Sequence, residues 1–155
     1  MRRWNMKLYL VQHGKAVDEK IDPQKPLSNE GKAETERVAN FLKQKEIVPE
    51  IIWHSEKLRA KQTAEIFTDI LGISEVVEKK GLKPNDPVEL LRDEIEGGDC
   101  DLMIVGHLPF LARLLSLLLL NSSERYILEF SYSGVLCLDF RDGWKVLWYL
   151  RPDII

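Results

Sequence analysis

The chain is poor in cysteine and has no excess of positive charge. Its two cysteines, Cys100 and Cys137, lie in no C-x-x-C or other metal-ligand spacing. We therefore expect reduced thiols in a cytoplasmic protein, not a disulfide framework or a cysteine-rich metal site. Lys and Arg together number 22 against 25 Asp and Glu, which gives a net charge of −3. This balance argues against a basic nucleic-acid-binding domain, so we expect no nucleic acid partner.

A long hydrophobic run is also missing. The longest, at residues 108–120, contains Pro109, Arg113 and Ser116, and its length of about 13 residues falls short of the ~20 that cross a bilayer. The apolar run at residues 6–11 is shorter than the core of a secretory signal. These absences predict no targeting segment and no membrane partner. The length of 155 residues, 45% hydrophobic and 30% charged, predicts a single domain spanning 1–155.

Short apolar runs alternate with helical patterns along most of the chain. The predicted order is strand 7–11, helix 28–44, strand 51–53, helix 58–71 ended by Gly72, a short strand at 76–77, helix 87–95 with Pro87 at its first position, strand 101–105 and helix 108–120. This alternation predicts an α/β fold of three layers (α/β/α), with helices on both faces of a mostly parallel sheet.

The end of the chain has a different pattern. Strand-like runs at 134–140 and 144–150 are joined through Asp142-Gly143, a frequent hairpin turn. We therefore expect an antiparallel hairpin at the edge of the sheet. The spacing of Trp144 and Trp148 places both on one face of the last strand, where they are expected to pack against the core.

All three histidines follow predicted strands. Ligands of open α/β sheets bind at the carboxyl ends of the strands, so His13, His54 and His107 are expected at one edge. Arg59, one turn into the next helix, can reach the same edge, whereas His54 is more often a hydrogen-bonded structural residue. A neutral imidazole is a nucleophile at neutral pH, arginine binds phosphate oxygens through several N–H groups, and a second, protonated histidine adds charge. His13, Arg59 and His107 together therefore favour phosphoryl transfer, with no metal and no cofactor.

Four segments carry motifs. They are Leu10-Val11-Gln12-His13-Gly14, then Pro26-Leu27-Ser28 followed by Gly31, then SEKLRAKQTA from Ser55 to Ala64, and finally Val105-Gly106-His107-Leu108-Pro109. In this order they resemble the motifs of the histidine phosphatase superfamily. The third is the most specific, since it is similar to the family's Ser-x-x-x-Arg-Ala-x-Gln-Thr. The short chain resembles the small, SixA-like phosphohistidine phosphatases within that superfamily.

This resemblance implies a phosphoglycerate mutase-like fold with a six-stranded mixed sheet, and a role for each matching residue. His13 is implied as the nucleophile that is transiently phosphorylated, and Arg59 and His107 as the groups that hold the phosphoryl group. The implied phosphate-binding residues are Gln12, Gly14, Arg59, His107 and Leu108, and the implied supporting residues are Ser55, Lys15, Lys25 and Asp18. Ser55 is expected to shape its turn and not to react.

Two positions depart from the family's pattern. Gln12 stands where the family usually has arginine, and Lys25 stands where this branch often has one. Glutamine donates hydrogen bonds but carries no charge, so we expect weaker phosphate binding, partly restored by Lys15. Asp18 and Glu19, in the loop that follows, are candidates for an acid that protonates a leaving group, although loop carboxylates are more often simply solvated.

The implied substrate is a phosphohistidine on a partner protein, because imidazole is expelled more easily than an alkoxide and needs less acid. A phosphatase of small phosphomonoesters remains an alternative. A non-catalytic, phosphate-binding regulatory module is another, because of Gln12. Zinc and serine hydrolases are disfavoured, since the histidines do not match H-E-x-x-H and the run Ser131 to Gly134 lacks the glycine of a G-x-S-x-G elbow.

Overall fold

The computed structural model describes residues 6–155. Its strands are β1 (Met6–Gln12), β2 (Ile51–His54), β3 (Glu75–Glu78), β4 (Leu102–Gly106), β5 (Val135–Phe140) and β6 (Trp144–Leu150). Its helices are α1 (Asn29–Gln44), α2 (Leu58–Leu71), α3 (Glu89–Gly97) and α4 (Phe110–Leu120), followed by a short 3-10 helix at Pro152–Ile154. Each predicted element is present, and the bounds lie close to the predicted ones.

The six strands form one mixed sheet in the order β3-β2-β4-β1-β5-β6. Strands β3, β2, β4 and β1 are parallel to one another, whereas β5 runs antiparallel to β1 and β6 antiparallel to β5. The predicted mostly parallel sheet with an antiparallel hairpin at its edge is confirmed. The carboxyl ends of β1, β2 and β4 therefore lie at one edge, together with the amino end of β5.

The central strands are buried on both faces, as their nearly continuous apolar sequences predict. Leu10 and Ile104 belong to the core beneath α3 and α4. Val11 and Met103, their neighbours along each strand, belong to the core beneath α1 and α2. The fold therefore has the three layers expected from the sequence.

The helices that follow β1 and β4 lie on opposite faces of the sheet. Strand β1 leads into α1, whereas the adjacent strand β4 leads into α4. The two connections therefore diverge and leave a crevice at the carboxyl ends of these strands, where open α/β sheets bind ligands. His13 and His107 are the first residues after the two strands.

Two helix ends follow their local sequence signals, and one does not. Ser28 accepts a hydrogen bond from the Gly31 N–H at 3.0 Å and caps α1, and Gly72 ends α2 in the left-handed conformation at φ 70°. Helix α3, however, begins at Glu89, so the prediction that Pro87 is its first residue is wrong. The proline φ also fits the turn before a helix, and the fully buried Val88 sets the entry point.

A β-bulge in the last strand separates its two tryptophans. Cys137 lies opposite Trp148, whereas the next residue of β5 lies opposite Val146, so Leu147 is the extra residue. This insertion reverses the alternation of side chains along the strand. Trp144 consequently joins the core beneath α3 and α4, and Trp148 packs on the core beneath α1 and α2. Both tryptophans pack as expected, but the prediction that they share a face is wrong.

Helix α4 is the most apolar helix, but it has only 11 residues, and most of them are buried in the core. Across residues 6–155, no helix combines the length and the apolar character that spanning a lipid bilayer requires.

Candidate active site

The pairing of β1 with β4 brings two histidines together. Gln12 lies opposite Gly106 in the parallel register, and the His13 N–H donates to the Gly106 carbonyl at 3.0 Å. The centroids of the His13 and His107 rings consequently lie 5.1 Å apart. Both side chains are buried. Two of the histidines predicted at one edge of the sheet therefore share one site.

Two hydrogen bonds define the tautomer of His13. Its Nδ1 lies 2.7 Å from the Gly14 carbonyl, which can only accept, so Nδ1 carries the proton. Its Nε2 accepts a hydrogen bond from the Arg59 Nε–H at 3.3 Å, and a guanidinium can only donate. Nε2 therefore carries the lone pair, and that lone pair faces a cation.

The first turn of α2 holds Arg59 in this position. The Thr63 hydroxyl donates to the Arg59 carbonyl at 2.7 Å and accepts a hydrogen bond from the Gly14 N–H at 2.9 Å. One buried hydroxyl thus joins the turn after β1 to the start of α2. Thr63 belongs to the most specific sequence motif, but the sequence does not reveal that it links these two segments.

Ser55 orients the second histidine. Its Oγ lies 2.8 Å from His107 Nε2, and its N–H donates to the Val105 carbonyl at 3.1 Å. Among residues 6–155, no group forms a hydrogen bond with the buried Nδ1 of His107. Ser55 was expected to shape a turn; the structure adds that its hydroxyl fixes the position of an imidazole.

Burial lowers the pKa of both imidazoles. For His13 burial is the largest cause, the hydrogen bond to the Gly14 carbonyl opposes it, and the charges of Arg59 and Lys25 act with it, so that the pKa falls to about 4. For His107, burial and then the neighbouring His13 lower the pKa to about 3. Both rings are therefore neutral at pH 7. Burial therefore acts against the protonated form that the sequence analysis expects for the second histidine.

We expect these two histidines to titrate far below the ordinary histidine pKa of 6.5. In an NMR pH titration, the His13 ring signals should move with a midpoint near 4. Below pH 6.5 the two histidines of the unfolded chain bind protons, whereas those of the folded chain stay neutral until the pH approaches 4. The free energy of unfolding should therefore fall as the pH is lowered from 6.5 to about 4. The His13→Gln/His107→Gln double variant should lose most of this dependence. A His13 midpoint at the ordinary value would contradict the argument from burial.

The two histidines and Arg59 line a cavity of about 660 Å³ at the carboxyl edge of the parallel strands. Its lining residues are Gln12, His13, Ala16, Val17, Asp18, Glu19, Lys25, Arg59, Pro84, His107, Leu108 and Tyr132. Most of the residues predicted from the sequence are thus brought together here. Three of them, Gly14, Lys15 and Ser55, lie outside this lining.

The loop before α1 brings Lys25 to the cavity. The Lys25 N–H donates to the Asp22 carbonyl at 2.9 Å, and the Leu27 N–H donates to the side-chain oxygen of Gln62 at 2.7 Å. The loop is thereby attached to α2. The ammonium group of Lys25 is near enough to His13 to help lower its pKa, so the cavity has a second cation in addition to Arg59.

Lys15 does not contribute to the cavity. Its ammonium group forms an exposed ion pair with Glu30 at 2.8 Å, and it is absent from the lining. The expectation that Lys15 compensates for the missing charge at Gln12 is therefore corrected. Of the two lysines, Lys25 is the one that lines the cavity together with Gln12.

Gly14 is required for packing. Its N–H already donates to the Thr63 hydroxyl, and its carbonyl accepts from His13. A Cβ at this position would lie 2.8 Å from Thr35 Oγ1, closer than real Cβ contacts come, and 3.1 Å from Ser133 Oγ, which is tighter than most. These contacts explain why glycine stands at this position, and the implied phosphate-binding role of Gly14 stays a prediction.

The segment before β5 adds residues that the sequence patterns did not indicate. The Tyr132 ring lies 5.6 Å from the His13 ring, centroid to centroid. The buried Ser133 donates its N–H to the Gln12 carbonyl at 3.0 Å, and its hydroxyl lies 2.8 Å from that of Thr35. These contacts exist because β5 is antiparallel to β1. The residues before β5 therefore meet the end of β1.

His54 lies apart from the other two histidines. Its Nδ1 is 2.9 Å from the Ser55 carbonyl, its side chain is buried, and it does not line the cavity. This placement agrees with the structural role that the sequence favoured. No group of three or more His, Cys, Asp or Glu side chains within residues 6–155 is arranged to hold a metal ion.

Known proteins share both the sequence motifs and the architecture. The sequence model of the histidine phosphatase superfamily (branch 1) matches residues 8–87. Phosphohistidine phosphatase SixA of Escherichia coli (strain K12) is 29% identical over 117 residues, 72% of this chain and 73% of that protein. The solved structure of the protein histidine phosphatase SixA complexed with tungstate has a TM-score of 0.85 and 25% identity, covering 96% of this chain and 99% of that chain.

A more distant solved structure shares the fold. Phosphoserine phosphatase from Entamoeba histolytica, in complex with 3-phosphoglyceric acid, has a TM-score of 0.73 and 19% identity, and covers 94% of this chain and 97% of that chain. The six-stranded sheet between helices is thus a phosphoglycerate mutase-like fold. The family and the SixA relatives support a phosphatase. The chain belongs to the histidine phosphatase superfamily, in its SixA-like branch.

Proposed function

We propose that this protein removes phosphate from phosphohistidine on a partner protein, through a covalent phosphohistidine formed on His13. The observation that carries the proposal is the lone pair on His13 Nε2, which faces Arg59 in a cavity that His107 also lines. Phosphoryl transfer needs positioning and charge neutralisation. Both are supplied here by a nucleophile, a guanidinium and a second imidazole around one cavity.

In the first step, the Nε2 lone pair of His13 attacks phosphorus and forms a P–N bond. The bond from phosphorus to the leaving nitrogen breaks and its electron pair stays on that nitrogen, so a ring that is already protonated on its other nitrogen leaves as neutral imidazole. The Nε–H of Arg59 remains on the guanidinium, and its hydrogen bond changes acceptor from His13 Nε2 to a phosphoryl oxygen. The ring of His13 becomes positively charged, so the hydrogen bond from its Nδ1–H to the Gly14 carbonyl strengthens.

In the second step, water attacks the phosphorus held by His13. The P–Nε2 bond breaks, the electron pair returns to Nε2, and the proton lost by the water remains with the phosphate product. The Lys25 ammonium, the Gln12 amide and His107 supply donors to the phosphoryl oxygens. Because these groups are held by the sheet and by the loop bonded to Gln62, they need little rearrangement during the reaction.

The leaving group favours phosphohistidine as the substrate. An alkoxide requires a strong general acid, whereas imidazole departs more easily and needs less assistance. The carboxylates that line the cavity, Asp18 and Glu19, lie in an exposed loop, and Asp18 already accepts a hydrogen bond from the Lys20 N–H at 2.8 Å. The name of the E. coli relative, phosphohistidine phosphatase SixA, supports the same choice.

A direct comparison of two substrates tests this proposal. We expect a phosphohistidine peptide to be hydrolysed with a kcat/KM at least about a hundredfold above that of an alkyl phosphate, since a general acid usually contributes that much. Both assays contain excess chelator, because the proposed steps use the cations of the protein alone. Equal values for the two substrates would contradict the argument from the leaving group.

A phosphatase of small phosphomonoesters is the second candidate. The observation in its favour is that Asp18 and Glu19 line the cavity, where either could protonate an alkoxide. One fold relative is a phosphoserine phosphatase. Efficient hydrolysis of an alkyl phosphate, lost in the Asp18→Asn/Glu19→Gln double variant, would establish this candidate in place of the first.

Restoring the missing arginine is expected to strengthen phosphate binding. Gln12 is 9% exposed and lines the cavity, so the charge of Gln12→Arg would lie close to the bound anion. A charged hydrogen bond contributes ~1.5–3 kcal/mol against ~0.5–1.5 for a neutral one, which corresponds to about tenfold tighter inhibition by inorganic phosphate. Gln12→Met, similar in length but without donors, should bind phosphate more weakly than the parent. An unchanged inhibition constant for Gln12→Arg would show that charge at this position is unimportant.

A further inference from the structure

Tyr132 lies beside the proposed nucleophile but has no part in the two steps above. Its ring centroid is 5.6 Å from that of His13, and the two planes are tilted by 43°. The side chain lines the cavity and remains 45% exposed. One part of the ring therefore faces His13, and another part is accessible to a molecule that enters the cavity.

The backbone on both sides of Tyr132 is held in place. On one side, the Ser131 N–H donates to the Tyr149 hydroxyl at 2.7 Å. On the other, the buried Ser133 adopts a left-handed conformation at φ 62° and donates its N–H to the Gln12 carbonyl at 3.0 Å. Tyr132 thus presents a half-exposed ring from a backbone that is held on both sides. A backbone held in this way does not have to be ordered when the ring contacts a ligand.

The cavity is large enough to hold more than a phosphoryl group. Its volume of about 660 Å³ falls within the ~300–1,000 Å³ of sites that accommodate whole small ligands. The polar side chains assigned above to the phosphoryl group share the cavity with a set of apolar and aromatic ones, which are Ala16, Val17, Pro84, Leu108 and Tyr132. The leaving group of the substrate therefore has an apolar surface against which to lie.

We propose that Tyr132 is a specificity-determining residue, which contacts a planar aromatic leaving group and makes the enzyme prefer phosphoryl groups carried on a ring nitrogen. This inference rests on the proposed function of the same cavity. A phosphoryl group on its way to His13 Nε2 bridges the nucleophile and the leaving nitrogen. Tyr132 lines the cavity beside that nucleophile, where its ring is available to an imidazole leaving group. Aromatic pairs with centroids ~4.5–7 Å apart attract each other beyond their buried area.

The charge of the leaving group acts in the same direction. An imidazole protonated on its free nitrogen is cationic as long as it carries the phosphoryl group, and the face of an aromatic ring attracts a cation. Asp18 and Glu19 line the same cavity and also favour a cationic leaving group, whereas Lys25 and Arg59 are engaged with the phosphoryl oxygens. Tyr132 therefore stabilises the leaving ring both by contact and by electrostatics.

Two substrates with the same P–N bond separate ring recognition from general activity. N-phosphoimidazole carries an aromatic leaving group, and phosphoramidate carries only ammonia. In Tyr132→Leu, kcat/KM for N-phosphoimidazole should fall about three- to tenfold while that for phosphoramidate changes less than about twofold. Tyr132→Phe should retain both values, because it keeps the ring. Tyr132→Thr is a second variant without a ring, in case the leucine variant does not fold.

Tyr126→Leu is the matched control, since Tyr126 is 65% exposed, donates its hydroxyl to Glu129 and does not line the cavity. It should leave the ratio of the two kcat/KM values unchanged. Equal losses on both substrates in Tyr132→Leu, or no loss on either, would overturn the role of Tyr132 and leave the proposed phosphatase intact. Failure of the parent protein to hydrolyse either substrate would overturn the proposed function, and the role of Tyr132 with it.

Discussion

Replacing His13 by alanine is expected to lower the rate of phosphate release by at least about a thousandfold, the loss that removal of a nucleophile usually causes. The reason is local, because His13 provides the lone pair that faces Arg59 in the cavity. His107 is not expected to take over this role. The Ser55 hydroxyl, 2.8 Å from its Nε2, can donate to the Nε2 lone pair, and with the proton then on Nδ1 the ring has no free lone pair. Steady-state release of phosphate from a phosphohistidine peptide measures the effect.

His54→Gln is the matched control for His13→Ala. His54 is also a buried histidine at the end of a strand, but it does not line the cavity, so its replacement should leave kcat nearly unchanged once folding is verified by circular dichroism. Substantial turnover by His13→Ala would contradict the covalent route. Binding of phosphate without turnover by the parent protein would instead favour a non-catalytic regulatory module.

Replacing Arg59 by alanine is expected to cost about a thousandfold in kcat, the lower end of the contribution that an arginine makes to phosphoryl transfer. In the structure this guanidinium is the cation in direct contact with His13 Nε2, at 3.3 Å. The alanine variant lacks the N–H that donates to a phosphoryl oxygen during transfer. Lys25 alone is then left to neutralise the developing negative charge. Rapid-quench measurement of His13 phosphorylation should show the loss in the first step.

Arg59→Lys separates charge from geometry. Lysine restores the charge but not the planar set of donors, so we expect only partial recovery of the rate. Lys61→Ala is the matched control, because Lys61 is an exposed cation on the same helix and does not line the cavity. If Arg59→Ala and Lys61→Ala reduce kcat equally, the contact between Arg59 and His13 has no special role.

The sequence predicts the centre of this site well, because its position follows from the direction of the strands. His13 and His107 each follow a buried parallel strand, and parallel strands end at the same edge of a sheet. Once β1 and β4 are neighbours, the two rings must meet. The position of Arg59 follows similarly from the first turn of α2. The element order, the mixed sheet and the two helical layers rest on the same patterns of apolar residues.

The residues that escaped prediction depend on contacts between distant segments. Tyr132 reaches the cavity only because β5 runs antiparallel beside β1, and a strand pattern does not specify its direction. Lys15 lies close to His13 in sequence, but Glu30, brought near by the fold, holds it outside the cavity. The N–H of Gly14 donates a hydrogen bond to Thr63 of α2 and is therefore already engaged. No local pattern contains these partners.

The covalent intermediate provides the most direct test of the central claim. The protein is mixed with a phosphohistidine peptide and quenched in alkali within the first turnover, conditions under which a phosphorylated imidazole survives, and the protein is then mapped by mass spectrometry. The proposed mechanism predicts one phosphoryl group, on His13, and none in His13→Ala. A phosphoryl group on His107, or rapid turnover with no protein-bound phosphoryl group at any time, would contradict it.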